Sequence, residues 1–286
     1  MNNSLRKNNL KGRKFLPALK LVCLSFLLLF GQWEIHAQNS CFMENTTFQA
    51  GEELTYKLYY NWNFVWLSAG EVTFKIEETP NEEYHIGVVG KTYSSYEWFF
   101  KVNDRYDTWI YKKNLLPTVA VRDVQEGKIS FYQKIVFNQS EKTATTYYGD
   151  NKDRVEKTVS LLNDCAHDLV SVIYYARNIN YTDFKEGTEF PVRIFMDKAV
   201  YPLRVKYKGK VANKYVHKKG RFRTIHFSPQ VLSGNVFKEG TQPEVYVSDD
   251  RNRIPILIES AVSVGSVKAV LKSYKGLRYD FTSKID

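Results

Sequence analysis

The chain has 286 residues with 41 Lys and Arg against 31 Asp and Glu, a formal charge of +10. Half of that excess lies in residues 1–37, which hold six Lys/Arg and the single acid Glu34, so the rest of the chain is only mildly basic and its charge makes no case for nucleic acid. Residues 38–286 are enough for one large domain with a real core.

The N-terminus has the layout of an export signal. Arg6, Lys7, Lys11, Arg13, Lys14 and Lys20 precede an uncharged apolar run, Leu21 to Phe30, and then His36-Ala37 offers a small residue before the polar Gln38. A bilayer span needs about 20 apolar residues, so this run fits a signal peptide cleaved after Ala37 better than a retained anchor. Cys41 follows Gln38-Asn39-Ser40, which lacks the Leu and small residues that lipidation favours. Cys23 leaves with the signal, and Cys41 and Cys165 remain. In an oxidising compartment they are expected to pair, with two buried free thiols as the alternative.

Period-two alternation dominates the rest. Leu54, Tyr56, Leu58, Tyr60, Trp62, Phe64 and Trp66 share one parity, with Thr55, Lys57, Tyr59, Asn61 and Asn63 on the other. This predicts one strand of about 40 Å, which must bend because sheets twist. Further strands are predicted from Val72, Tyr84, Arg105 to Tyr111, Thr118 to Val124, Ile129 to Phe137 and Thr143 to Tyr148. Asn163 to Arg177 then has helical spacing at Leu169, Val170, Ile173 and Ala176, with Asp164 and Asp168 near its start and Arg177 in its last turn, as the helix dipole prefers. Strands resume over Glu189 to Phe195, Val200 to Tyr207, Phe222 to Phe227, Val245 to Ser248, Ile254 to Glu259 and Ala261 to Leu271. A β-bulge at Gly265-Ser266 is expected to reconcile the two parities of the last one. The predicted architecture is mainly β: a single domain, residues 38–286, of long curved antiparallel strands forming a half-barrel or barrel, with one main helix in mid-chain.

The segments FQAGEELTYKLYYNW, AGEVTF, DCAHDLVSVIYYAR, PLRVKYKGK, VSDDRNRIPILIE and VGSVKAVL occur in this order. Together they resemble an uncharacterised exported family of Gram-negative bacteria, domain-of-unknown-function family 3108. The resemblance implies export to the periplasm and a β-rich fold; it brings no catalytic residues. The layout also resembles periplasmic lipoprotein carriers, whose half-barrel holds a greasy cavity.

Four constellations invite a functional reading. The stripe Tyr56, Tyr60, Trp62, Phe64 and Trp66, with a second cluster at Tyr93, Tyr96, Trp98, Phe99 and Phe100, is either plain core or the wall of a site for a lipid or other apolar ligand. Arg204, Lys206, Lys208 and Lys210 line one strand face, which is either a solvated face or a contact for an anionic envelope surface. Asp249-Asp250-Arg251-Asn252-Arg253 reads as a hairpin turn rather than a calcium loop. Asp164, His167 and Asp168 would share a helix face, but zinc takes three or four ligands and no further partner appears by spacing, so they read as helix-start acids with a surface His and no metal is expected. No nucleophile elbow, zinc-protease motif or phosphate loop is present, and no cofactor is implied. The leading expectation is a non-enzymatic envelope protein binding an apolar or lipid-like ligand; the alternative is a structural partner of envelope proteins, and a hydrolase comes third.

Overall fold

The computed structural model describes residues 42–286 except 63–64, 99, 232–239 and 263–264, and the backbone alone at Trp62 and Val65. Eight strands come first: β1 Glu53–Trp62, β2 Val65–Glu78, β3 Glu83–Thr92, β4 Asn103–Tyr111, β5 Pro117–Glu126, β6 Ile129–Asn138, β7 Thr143–Asn151 and β8 Arg154–Leu161. Helix α1, Ser171–Asn178, follows. Six strands complete the chain: β9 Glu189–Met196, β10 Ala199–Val216, β11 Gly220–Pro229, β12 Glu244–Ser248, β13 Pro255–Ala261 and β14 Ser266–Lys275.

All fourteen strands form one antiparallel sheet in the order β8-β7-β6-β5-β4-β3-β2-β1-β14-β13-β12-β11-β10-β9. Each run is a meander, and the two runs are joined where β1 pairs with β14, Leu58 opposite Ala269. The sheet edges are therefore β8 and β9, which are consecutive in the chain. The sheet is open but curls, so residues from distant strands meet: Phe195 of β9 packs with Ile135 and Phe137 of β6 and Ala144 of β7, its ring 5.8 Å from that of Phe137. This is the half-barrel that the long alternating segments predicted.

The connector between the two edges carries α1 through the interior. One side of the helix, with Val170 and Tyr174, packs on Phe48, Ile76, Ile86, Ile110 and Leu115. Val172, Tyr175 and Ile179 pack on Phe190, Val192, Tyr207, Ile225 and Phe227. A helix this short is marginal on its own; burial between the two halves of the sheet holds it.

The structure corrects four expectations. The segment from Leu54 to Trp66 is a hairpin and not one strand, with Asn61 opposite Trp66 and Trp62 opposite Val65. The predicted helix starts at Ser171 and not at Asn163. Upstream of it, residues 166–168 are held extended against β9, where the His167 amide donates to the Arg193 carbonyl at 2.9 Å and the Phe195 amide to the His167 carbonyl at 2.7 Å. The Asp168 carboxylate then turns the chain, accepting from the Val170 amide at 2.8 Å and the Ser171 amide at 3.3 Å. Gly265 belongs to the β13–β14 turn rather than a bulge; its φ is +82° and a Cβ there would lie 2.1 Å from the Asn61 carbonyl oxygen, so only glycine fits. Strand β8 was not anticipated, because Lys157 interrupts the apolar row of Val155, Val159 and Leu161.

Candidate functional site

The aromatic stripe divides into core and rim. Tyr56 is buried with Leu54, Leu257, Val270 and Leu271, its ring edge-on to Phe74 at 5.8 Å. Tyr60 is half-buried further along the same face. Trp66 lies on the opposite face, because direct pairing with Asn61 puts it there; it is exposed, with Lys268 Nζ 4.2 Å above its ring. That corrects the expectation that the alternating residues from Leu54 to Trp66 lie on one face of a single strand. The Trp62 side chain and Phe64 lie outside the described residues. Among the described residues, α1 and its neighbours pack into the interior that the stripe enters. A space of about 10 Å³ remains beside Arg122, Gln133 and Asp168, the size of one water.

In a meander, alternate turns lie at the same end of the sheet. The β1–β2, β3–β4, β5–β6 and β13–β14 turns share one end by this rule. Large apolar side chains are exposed there: Trp98 at 82%, Phe100 at 48%, and also Trp66 and Ile129. The β3–β4 loop that carries Trp98 is tied down. Its Tyr93 amide donates to the Ala69 carbonyl at 3.0 Å, the Tyr93 hydroxyl donates to Glu71, and the Gly127 amide donates to the Lys101 carbonyl at 2.8 Å. Phe100 lies over Gly127, where a Cβ would come within 3.0 Å of the ring. Trp98 and Phe100 of the second aromatic cluster thus form, with Trp66 and Ile129, an apolar rim at this end; Phe99 lies outside the described residues.

The outer face is a lattice of paired charges. An open groove of about 460 Å³ crosses β1–β4 and is lined by Glu53, Lys75, Glu77, His85, Arg105 and Asp107 among others. Asp107 accepts from Arg105 Nε at 2.6 Å and meets His85 Nε2 at 2.8 Å. Lys75 reaches Glu53 at 3.3 Å. Burial opposes ionisation of Asp107, but bonds from His85 and Arg105 win and pull its pKa down to about 2. The bond to Asp107 raises the His85 pKa against the opposing effect of burial. The pattern recurs in the second run of strands. There His226 stacks on Tyr246 at 4.2 Å and meets Glu244, as His85 stacks on Trp109 at 4.6 Å. With cations and carboxylates matched in this way, the groove presents little unneutralised charge to a ligand.

The basic ladder on β10 is matched in the same manner. Arg204 faces Glu189 at 3.5 Å, Lys208 faces Glu244 at 2.9 Å and Lys210 faces Asp249 at 3.0 Å, while Lys206 is exposed. The run of basic residues along the sequence is therefore not a run of bare charge in space. Asp250 holds the expected turn, its Oδ1 accepting from the Asn252 amide at 3.0 Å and the Arg253 amide at 3.3 Å. Asp164 pairs with Arg193 at 3.0 Å. His167 is buried against Tyr175, and burial pushes its pKa down to about 3, so it is neutral. Among the described residues, no group of three or more His, Cys, Asp and Glu is placed to hold a metal. Cys165 is buried, and Cys41 lies outside the described residues.

One buried site gave no sign in the sequence pattern. Arg177, read there as a helix-end cation, points inward. Its Nη1 and Nη2 meet the two carboxylate oxygens of Glu52 at 2.6 and 2.8 Å, and its Nε and Nη2 donate to the Asn252 carbonyl at 3.1 and 2.9 Å. This joins α1 to the start of β1 and to the β12–β13 turn. Its role is structural, since both side chains are closed off from solvent.

A family model described as a protein of unknown function, DUF3108, matches residues 55–272. No curated protein matches the sequence. Among solved structures, the chain is similar to a beta-barrel-like protein of domain of unknown function DUF1849 from Brucella abortus. The TM-score is 0.53 and the identity 10%, over 81% of this chain and 98% of that one. At that identity the likeness is one of fold, and it agrees with the curled sheet. The match over most of the chain places this protein in the DUF3108 family of proteins of unknown function.

Proposed function

We propose that this is an exported protein of the Gram-negative periplasm that binds an apolar, lipid-like partner without catalysing a reaction, and that it does so at the aromatic rim. The observation that carries this reading is the exposure of Trp98 and Phe100 at the end of the sheet where Trp66 and Ile129 are also exposed, on a loop tied by backbone hydrogen bonds at Tyr93, Phe100 and Lys101. Large rings kept in water on a fixed support mark an interaction surface. Tryptophan is also the residue favoured where hydrocarbon meets polar headgroups. The packing of α1 into the interior argues for contact at the rim rather than in an enclosed pocket. The paired ladder at Arg204, Lys208 and Lys210 makes anionic attraction a minor contribution, with Lys206 left to supply it.

The test is co-sedimentation with vesicles of phosphatidylethanolamine and phosphatidylglycerol, read together with tryptophan fluorescence. Binding with a blue shift is expected. The double variant Trp98→Ser, Phe100→Ser should bind at least about tenfold more weakly, since burying one large ring is worth about 1.5–3 kcal/mol. Its melting temperature should not change. No binding by the unaltered protein to vesicles of any composition would reject the lipid reading. It would favour the alternative that the packed interior also supports, a structural partner of envelope proteins.

A further inference from the structure

We infer that β8 pairs edge to edge with the β8 of a second copy of this chain, antiparallel about a two-fold axis at Thr158. The two edges of the sheet are treated differently. The β9 edge is covered by the chain itself, through the two backbone bonds between His167 and residues Arg193 and Phe195. The β8 edge is not: among the described residues no strand or bridge pairs with its free side. A free edge is a row of unmatched amides and carbonyls that templates another strand, and proteins usually blunt it with proline, a bulge or charge. Strand β8 contains no proline; Arg154, Glu156 and Lys157 place charge on it, but beside Lys157 its outer face exposes two apolar side chains. Val159 is 60% exposed and Leu161 71%. Val159 continues an apolar row across the outer face, through Thr145 to the exposed Val136.

The charges of β8 choose the partner and the register. In a two-fold antiparallel pair, residues of one face must meet residues of the same face, so the axis passes through a residue position. An axis at Glu156 or at Lys157 sets that charge against its own copy, which is destabilising. An axis at Thr158 pairs the whole of residues 155–161. Val155 then meets Leu161, Glu156 meets Ser160, Lys157 meets Val159 and Thr158 meets itself, with no like charges opposed. Axes further toward either end pair fewer residues of the strand. The strand is thus self-complementary in one full-length register, as an isologous contact requires.

That register assigns a specific neighbour to Val159, which is Lys157 of the other copy. Sedimentation equilibrium of the purified protein should show a monomer–dimer equilibrium. Val159→Lys sets lysine against lysine twice in the dimer and should weaken dimerisation by about tenfold, while Val159→Glu sets glutamate against lysine twice and should tighten it by a similar factor. Far-UV circular dichroism confirms that both variants fold, as an exposed position allows. A protein that stays monomeric up to its solubility limit would overturn the inference. So would equal weakening by both variants, since a contact elsewhere gives no reason for opposite signs.

Discussion

Glu52→Gln is expected to be among the most damaging single-atom changes available in this protein. The Arg177 guanidinium is held by two bonds to the Glu52 carboxylate and two to the Asn252 carbonyl, with the rings of Phe48 and Tyr174 within 5.6 and 5.3 Å of its centre. Burial opposes the charged form, and the Glu52 carboxylate overcomes this and holds the Arg177 pKa above its ordinary value. The charge therefore stays when Glu52 is neutralised, and no water reaches it. Removing one partner of such a pair costs about 3–5 kcal/mol, a large share of the roughly 5–15 kcal/mol that a domain has. Arg177→Met should cost as much, by stranding the carboxylate. The double variant Glu52→Gln, Arg177→Met removes both charges and leaves only neutral groups, the new amide and the Asn252 carbonyl, without partners, a loss of about 1–3 kcal/mol for each. Equilibrium unfolding in urea measures all three. The singles should therefore sum to several kcal/mol more than the double. A double whose loss equals that sum to within about 0.5 kcal/mol would refute the coupling and with it the buried pair.

Two of the histidines described above, His85 and His167, should give pH dependences of opposite sign. His85 has a folded pKa raised above the ordinary 6.5, so its contribution is complete below that value and is lost as pH rises through the folded pKa; His85→Gln should flatten the urea midpoint above pH 6.5. His167 has a folded pKa near 3, so the unfolded chain takes up the proton first and stability falls as pH drops from 6.5 toward 3; His167→Leu should remove that loss. Tyr174→Ala, which empties the space between α1 and the first run of strands, should cost about 3–5 kcal/mol in the same assay. For the exported form, N-terminal sequencing should begin at Gln38, and thiol labelling under denaturing, non-reducing conditions should find neither Cys41 nor Cys165 free.

Strand content and curvature were legible because an apolar–polar period of two survives in any sheet with one buried face, as in Val72-Thr73-Phe74-Lys75-Ile76. Hairpin turns without the usual markers were not. The sequence between Trp62 and Val65 carries no glycine or proline, and the alternation runs on from Leu54 to Trp66, so one strand was read where there are two. The helix was read too long for a related reason. Residues 163–170 contain no helix breaker; what keeps residues 166–168 extended is the β9 edge, a partner from elsewhere in the chain, and the Asp168 carboxylate then turns the chain before the helix starts.

The sequence by itself determined the class of fold and the family, since these depend on local composition and the order of short segments. Tertiary structure decided which charges are bare. Nine Lys and Arg between Arg204 and Arg223 look like one basic surface along the chain, yet Glu189, Glu244 and Asp249 arrive from neighbouring strands to meet three of them. It also decided that Arg177 is a core residue, because its carboxylate partner lies 125 positions away. Electrostatic pairing acts across space over a few ångströms, and a period read along one strand carries no record of what the next strand brings beside it.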